Sequence, residues 1–182
     1  MFKKRSFHYF RVLKNRKGFT LTEIFITLAI LGIMTAIAMP SYIYWLPRHK
    51  LQTSARQIYD DLNLAKIQAV KDNSVAVAIF YPATSKYTIF LDASVPLNWV
   101  LDAGETVIRQ DVVLENDVTI TGTTFTANKV GFNNRGLSLG LPAAAPYQVR
   151  LSNPTGLLMG VDVNTAGGIS IVTSTDGWAH WS

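Results

Sequence analysis

A chain of 182 residues, 48% of them hydrophobic, is long enough for one globular domain and a short additional segment. The absence of cysteine excludes a disulfide scaffold, a thiol nucleophile and a cysteine metal site. The net charge is +5, but seven of the 17 Lys and Arg lie in the first 17 residues, which contain no acid. The remainder carries 10 cations and 12 acids, so the excess positive charge marks one end of the chain and does not indicate a nucleic-acid partner.

A long apolar run follows this basic segment. From Phe19 to Met39 there are 21 residues, and Glu23 is the only charged one. At about 1.5 Å per residue such a helix spans roughly 31 Å, close to the hydrocarbon thickness of a bilayer. Because Lys and Arg are retained on the cytoplasmic side, the helix is expected to cross the membrane once, with its N-terminus in the cytoplasm.

The junction Gly18-Phe19-Thr20-Leu21-Thr22-Glu23 resembles the type IV prepilin signature. The resemblance implies that a prepilin peptidase cleaves between Gly18 and Phe19 and that Phe19 is then N-methylated. It also implies that Glu23 pairs with the N-terminal amine of a neighbouring subunit during assembly, and that Pro40 bends the helix. Thr22 departs mildly from the signature, in which a branched aliphatic residue is usual.

Other interpretations of this stretch remain open. Ala36-Ile37-Ala38 resembles the cleavage site of a secretory signal, but the apolar run exceeds the usual 7–15 residues of such signals and contains Glu23. A plain membrane anchor, with Glu23 held at the membrane interface, is the other alternative. An acid within a membrane segment costs on the order of 3 kcal/mol, which favours a function for Glu23.

The next segment is predicted to be an amphipathic helix from Arg48 to Asp72 that ends at Asn73-Ser74. Its apolar residues recur at steps of three and four and therefore share one face. These residues are Leu51, Ala55, Ile58, Leu62, Ala65 and Ala69. Asp60 and Asp61 are neighbours on the helix, so their side chains point about 100° apart and cannot share a proton. We expect both carboxylates on the solvated side of the helix.

The rest of the chain is predicted to form an antiparallel sheet, so the fold class is α+β. One hairpin is expected around residues 82–85 and a second around Asn116-Asp117, while residues 97–104 form a loop with a buried Trp99. Turns are expected at residues 153–156 and 166–168. The predicted strands cover residues 75–81, 86–92, 112–115, 118–121, 130–133, 147–152, 157–163 and 169–173.

This order, one long helix and then an antiparallel sheet, is typical of pilin-like proteins. Residues 55–66 and the segment from Phe132 to Gly136, a Phe-x-x-x-Gly pattern, make the chain most similar to the GspH/FimT minor pilins and pseudopilins. The resemblance implies a leader over 1–18, a transmembrane assembly helix over 19–47 and a periplasmic pilin-like domain over 48–182. Its implied partners are the prepilin peptidase, other pilin or pseudopilin subunits, inner-membrane lipid and the assembly platform.

The residues give little reason to expect an enzyme or a cofactor. His8, His49 and His180 are far apart in the sequence, and Asp111, Glu115 and Asp117 match no calcium-loop spacing. The sequence therefore predicts no catalytic residue and no metal site.

The expected function is a subunit of a type IV pilus or of a type II secretion pseudopilus, and a competence apparatus is also open. The alternative is a DNA-binding minor pilin that acts in DNA uptake. Trp178 and Trp181 have rings that can stack on bases. No Lys or Arg follows Arg150, however, and this absence of positive charge argues against DNA as a partner.

Overall fold

The computed structural model describes residues 18–93 and 97–174. A 51-residue helix, α1 (Leu21–Lys71), is followed by β-strands and two short 3₁₀ turns, Pro82–Thr84 and Thr126–Asn128. The chain divides into two compact units between Ser41 and Tyr42. The first unit contains the N-terminal segment of α1 (residues 21–41), and the second contains the rest of the helix and all the strands.

The N-terminal segment packs against no other described residue of its own unit. Its most apolar stretch is long enough to cross a membrane, and none of that stretch is buried. Every residue of the segment is exposed, including Leu31 and Ile37. A helix that is apolar on all sides is stable only where a partner or a lipid covers it.

The second unit contains two antiparallel sheets rather than the single sheet that we predicted. The five-stranded sheet has the order β3-β2-β1-β5-β6, and the four-stranded sheet has the order β4-β7-β8-β9. The strands are β1 (Val75–Tyr81), β2 (Lys86–Asp92), β3 (Thr106–Val113), β4 (Thr119–Thr123), β5 (Lys129–Phe132), β6 (Ser138–Leu139), β7 (Gln148–Ser152), β8 (Leu158–Val163) and β9 (Ile169–Ser174). The α+β class and the long helix followed by antiparallel strands are confirmed.

The second predicted hairpin, around Asn116-Asp117, is wrong. The backbone N–H of Val118 does donate to Glu115 O at 3.0 Å, which closes a turn. However, β3 and β4 on either side belong to different sheets. Leu114 and Val118 are both buried, so this turn carries the chain across the core instead of returning it along the same sheet.

The core segment of α1 (residues 48–71) follows the predicted pattern. The six residues of its apolar face are each at most 1% exposed. They form one hydrophobic cluster with inward-facing side chains of both sheets, among them Tyr87, Phe132, Val149 and Val161. The predicted end is also confirmed: Ser74 N–H donates to Ala69 O at 3.0 Å in a Schellman arrangement that places Asn73 at a φ of 49°.

Three hairpin turns share the pattern Asn-x-x-Gly. In each turn the asparagine side-chain oxygen accepts the backbone N–H four residues later, at 2.7–3.0 Å. The glycine has a positive φ of 75–80°, which a side chain would disfavour. The turns span residues 133–137, 153–157 and 164–168.

Candidate functional site

The start of α1 is a helix cap built from the predicted signature. The backbone N–H of Glu23 donates to Thr20 Oγ1 at 3.2 Å, so the helix begins at Leu21 rather than at Phe19. Thr20 and Glu23 have the spacing of a capping box, and an acid in the first turn also interacts favourably with the helix dipole. The Ser/Thr-x-x-Glu pattern is a helix-start signal that the sequence analysis did not use, and the cap observed here is made by the Thr20 hydroxyl.

The residues on either side of the predicted cleavage point are open to their surroundings. Gly18 and Phe19 are exposed. A Cβ added to Gly18 would meet no heavy atom within 4 Å, and its φ is not in the left-handed region. Nothing in the part of the chain that the structure describes therefore requires glycine at this position, so its requirement would have to come from a partner that binds the bare backbone.

Helix α1 is continuous through Pro40 and Pro47. Neither proline has an N–H to donate, so each leaves a carbonyl one turn earlier without its usual partner. The carbonyl of Pro47 itself accepts Asn153 Nδ2 at 3.1 Å, which ties the helix to the β7–β8 turn. The bend at Pro40 remains a prediction.

A buried carboxylate joins α1 to the five-stranded sheet. Asp61 accepts the Tyr87 hydroxyl at 2.7 Å and Arg109 Nε at 2.9 Å. Our expectation of a solvated Asp61 is wrong, because it is 7% exposed, whereas Asp60 is exposed as predicted. Burial raises the pKa of the Tyr87 hydroxyl far above its usual range, and the hydrogen bond to Asp61 raises it further. Tyr87 therefore donates as a neutral hydroxyl, and each oxygen of the Asp61 side chain has one partner.

The Phe-x-x-x-Gly segment forms a junction between the helix and both sheets. A Cβ on Gly136 would lie 3.0 Å from the Lys66 Cε, and a Cβ on Gly167 would lie 1.8 Å from the Gly136 carbonyl oxygen. The Lys66 ammonium donates to Gly167 O at 2.7 Å. The turn at Gly136 in the five-stranded sheet and the turn at Gly167 in the four-stranded sheet therefore contact each other beside Lys66 of α1. The lack of a side chain on both glycines makes this close approach possible. The prediction of a tight turn at residues 133–136 is confirmed.

Two further contacts fix the start of the core segment. Lys50 pairs with Asp117 at 2.8 Å, and the Ser54 hydroxyl accepts the backbone N–H of Glu115 at 3.3 Å. An apolar face adheres to a sheet without selecting one axial position, whereas hydrogen bonds act only at one register. The polar contacts of Lys50, Ser54, Asp61 and Lys66 therefore set the register of α1.

The described residues contain no group of three or more His, Asp or Glu that could hold a metal ion. His49 stacks on Trp45 with ring centroids 4.5 Å apart. His8, His180, Trp178 and Trp181 lie outside the described residues. Two cations of the globular unit already have partners within the chain: Arg109 is paired with Asp61, and Lys129 Nζ donates to Trp99 O at 2.7 Å.

Residues 54–167 match the sequence model of the family described as type II transport protein GspH. The chain belongs to the GspH family. Residues 13–39 also match the prokaryotic N-terminal methylation motif, which covers the Gly18-Phe19 junction and the apolar run. The GspH family comprises minor pilins and pseudopilins, which are structural proteins that associate with other pilin subunits.

Two curated relatives are named as a fimbrial protein and a pilin-like protein. A fimbrial protein of Pseudomonas aeruginosa is 32% identical over 77 residues, which cover 42% of this chain and 49% of the relative. The pilin-like protein PilA1 of Thermus thermophilus is 30% identical over 91 residues, or 50% of this chain and 56% of the relative. The chain thus spans about half the length of the curated relatives it matches.

Two solved structures resemble this GspH-family chain. One is the minor pseudopilin EpsH of the type 2 secretion system of Vibrio cholerae, with 13% identity, a TM-score of 0.49, and coverage of 70% of this chain and 99% of the other. The other is the type IV minor pilin FimU of Pseudomonas aeruginosa, with 14% identity, a TM-score of 0.48, and coverage of 72% and 97%.

Proposed function

We propose that this chain is a minor pilin or pseudopilin subunit, assembled from the inner membrane into a type IV pilus or a type II secretion pseudopilus. The observation that carries the proposal is an exposed apolar helix, preceded by a basic leader, that continues into a GspH-family domain. In this proposal residues 1–18 are the leader, 19–47 span the membrane and join the filament, and 48–182 form the periplasmic domain. Inner-membrane lipid holds the subunit until the assembly platform extracts it.

Processing by a prepilin peptidase is the first step of the proposed pathway. The enzyme cuts between Gly18 and Phe19 and methylates the Phe19 amine. An exposed glycine that the fold itself does not need supports this step. Pro40 then allows the helix to bend as subunits pack in the filament.

Glu23 is the proposed assembly residue. After cleavage Glu23 is the fifth residue of the mature chain, and its carboxylate pairs with the positive N-terminus of a neighbouring subunit. Opposite charges attract more strongly in a low-dielectric setting than in water, so one axial register of the two helices is favoured. Insertion alone does not explain this residue, because the membrane helix is more stable without it.

The test is recovery of this subunit with its partner pilins from detergent-solubilised membranes. We expect Glu23→Ala to be processed and membrane-bound but poorly recovered with the other subunits. Glu23→Gln keeps the shape and an amide oxygen but lacks the charge, so it should fail as Glu23→Ala does if the ion pair matters. Thr20→Ala removes the cap but retains the charge, and it should assemble. Equal recovery of all variants would show that Glu23 has no assembly role.

A further inference from the structure

The outward face of the four-stranded sheet, which points away from the core, carries buried residues. Gln148 on β7 is 1% exposed, Ser174 on β9 is 8% exposed, and Gly160 on β8 between them is also buried. We propose that residues 175–182, which follow β9 in the sequence, pack on this face and cover it. The inference goes beyond the proposed function, because it concerns how the globular unit is closed and not how the subunit assembles.

Strand alternation shows which side chains of this sheet point outward. Successive residues of a strand point to opposite faces, and the inward side chains of β7 and β8 belong to the core cluster: Val149, Leu151, Met159, Val161 and Val163. Gln148, Arg150 and Gly160 therefore point outward, and Arg150 Nε donates to Gln148 Oε1 at 3.4 Å on that face. The register of β8 with β9 places Val172 and Ser174 there as well. Helix α1 and the five-stranded sheet pack on the inward face through the core cluster, so neither covers the outward one.

Two glycines pair with Arg150 from opposite sides, and the difference between them locates the cover. Gly122 on β4 and Gly160 on β8 are both register partners of Arg150. Gly122 is only half-buried, and a Cβ added there would meet no heavy atom within 4 Å. Gly160 is buried, and its neighbour Val172 on β9 is half-buried. The cover therefore lies over β8 and β9 and leaves the β4 side open.

The position of Ser174 makes residues 175–182 the segment that reaches this region. Ser174 ends β9 and is buried, whereas Ser170, on the same face near the start of β9, is exposed. The path from Ser174 to Gln148 crosses two strand spacings, about 10 Å, and four residues along the strands, about 13 Å. Eight further residues extend up to about 26 Å. The segment can therefore cross the face over Gly160 without being fully stretched.

The five-stranded sheet already contains the same arrangement. Val130 and Phe132 belong to the core cluster, so Gly131 between them on β5 points outward. Gly131 is buried by the indole of Trp99, because a Cβ there would lie 3.0 Å from the ring atom Cη2. Trp99 itself is half-buried, so our expectation of a buried Trp99 is wrong. In this fold an indole thus covers an outward glycine of an interior strand.

The sequence of residues 175–182 supplies the same chemistry. It contains Trp178 and Trp181, two of the four tryptophans of the chain. An indole fills the space that a missing side chain leaves above Gly160, and its face also stacks favourably on an arginine guanidinium such as that of Arg150. In this arrangement the two tryptophans stabilise the globular unit and are not free to stack on bases, as the DNA-uptake alternative would require.

The absence of cysteine from the chain allows a direct test of the cover. Val172→Cys places a thiol under the proposed segment, both in the full chain and in a variant that stops at Ser174. We expect this thiol to react with a maleimide at least tenfold faster in the shortened variant. Thr119→Cys, at an exposed position of β4, should react at rates within twofold of each other in the two chains. Equal rates for Val172→Cys would overturn the proposal.

A full-length variant makes the result independent of whether the shortened chain folds. Gly160 lies in a regular strand that is paired on both sides, where a β-branched residue is favoured. Gly160→Val should therefore fold, but its side chain occupies the space under the proposed segment. We expect the Val172→Cys thiol to react at least fivefold faster in this background and within twofold of its original rate with Gly122→Val. Resistance to limited proteolysis establishes that both variants are folded, and unchanged rates in both would contradict the proposal.

A crosslink identifies the segment that covers the face. The full chain with Val172→Cys and Ala179→Cys is treated with a short bismaleimide, and the linked peptides are identified by mass. We expect an intramolecular link between the two positions, and much less linkage when Thr119→Cys replaces Val172→Cys. A covalent dimer would show that a second copy covers the face, which would overturn the proposal. These measurements use the isolated subunit, so their outcome does not depend on the proposed function.

Discussion

The two segments of helix α1 use apolar residues in opposite ways. In the N-terminal segment (residues 21–41) they occupy every side of the helix and none is buried. In the core segment (residues 48–71) they occupy one face, and that face is buried to at most 1% exposure. One continuous helix thus contains a part stabilised by its own chain and a part that requires a cover from outside. A substitution should therefore act on stability in the core segment and on processing or assembly in the N-terminal segment.

The largest expected effect tests whether the N-terminal segment is recognised from outside the chain. Gly18→Leu should abolish processing, because the peptidase must accommodate a nearly bare backbone there. Gly32→Leu is the matched control, since both glycines have no heavy atom within 4 Å of an added Cβ. It should leave processing intact. Intact-mass measurement of membrane-extracted protein checks both variants, and a mature chain that begins at Met39 would identify a secretory signal instead.

The second prediction compares equivalent leucines in the two segments. Leu62→Ala removes a fully buried side chain and should lower the free energy of unfolding by about 2–5 kcal/mol. Leu31→Ala, at an exposed position of the N-terminal segment, should change it by less than about 0.5 kcal/mol. Urea unfolding of the full chain in mild detergent, followed by near-UV circular dichroism, measures both. Similar losses for the two variants would contradict the division of the helix.

The third prediction compares two adjacent carboxylates of the core segment. Asp61→Ala leaves the buried Tyr87 hydroxyl without its acceptor and should cost roughly 1–3 kcal/mol. Asp60→Ala, on the exposed side of the helix, should cost less than about 0.5 kcal/mol. The same urea titration measures both variants. If both lose the same small amount of unfolding free energy, Asp61 is solvated, as we expected from the sequence.

The smallest expected effect is pH-dependent and lies on β8, away from the helix. Burial raises the pKa of Asp162 above 3.8, although the backbone N–H of Tyr147 partly opposes the shift. The folded state then holds its proton more readily than the unfolded state, so wild-type stability falls as pH rises from 3.8 through the folded pKa. Asp162→Asn should therefore melt at a slightly higher temperature at pH 7, and this gain should vanish in acid. A gain that is equally large at low pH would contradict the assignment.

Much of the fold could be predicted because its signals are local. The apolar face of the core segment, the stop at Asn73-Ser74 and the first two strands follow from periodicity and turn residues within one element. The edge strand β3 was largely missed, because most of its residues are exposed and it shows no alternation. The assignment of β4 to a second sheet was missed for another reason: a turn of suitable residues looks the same whether the chain pairs with itself or crosses the core.

The polar contacts of the candidate site were the least predictable part. Asp60 and Asp61 are identical in type and adjacent in sequence, and only the position of Tyr87 and Arg109 on the sheet gives them different roles. From the sequence, Lys66 is likewise interpreted as a surface cation, and its contacts exist only because folding places the turns at Gly136 and Gly167 against it. The backbone of Trp99 is hydrogen-bonded to Asp92 of β2 and Lys129 of β5, and no residue spacing in the sequence predicts these contacts.

The sequence by itself determined the basic N-terminal segment, the apolar run behind Gly18, the fold class and the family, because charge, hydrophobicity and helical period are properties of consecutive residues. Tertiary structure alone decided that there are two sheets, that the Asp61 side chain is buried and that the Trp99 indole lies against Gly131 and Gly140. Each of those features depends on groups distant in the chain. Their energies arise only when folding removes water and brings a donor and an acceptor, or a ring and a glycine, into contact.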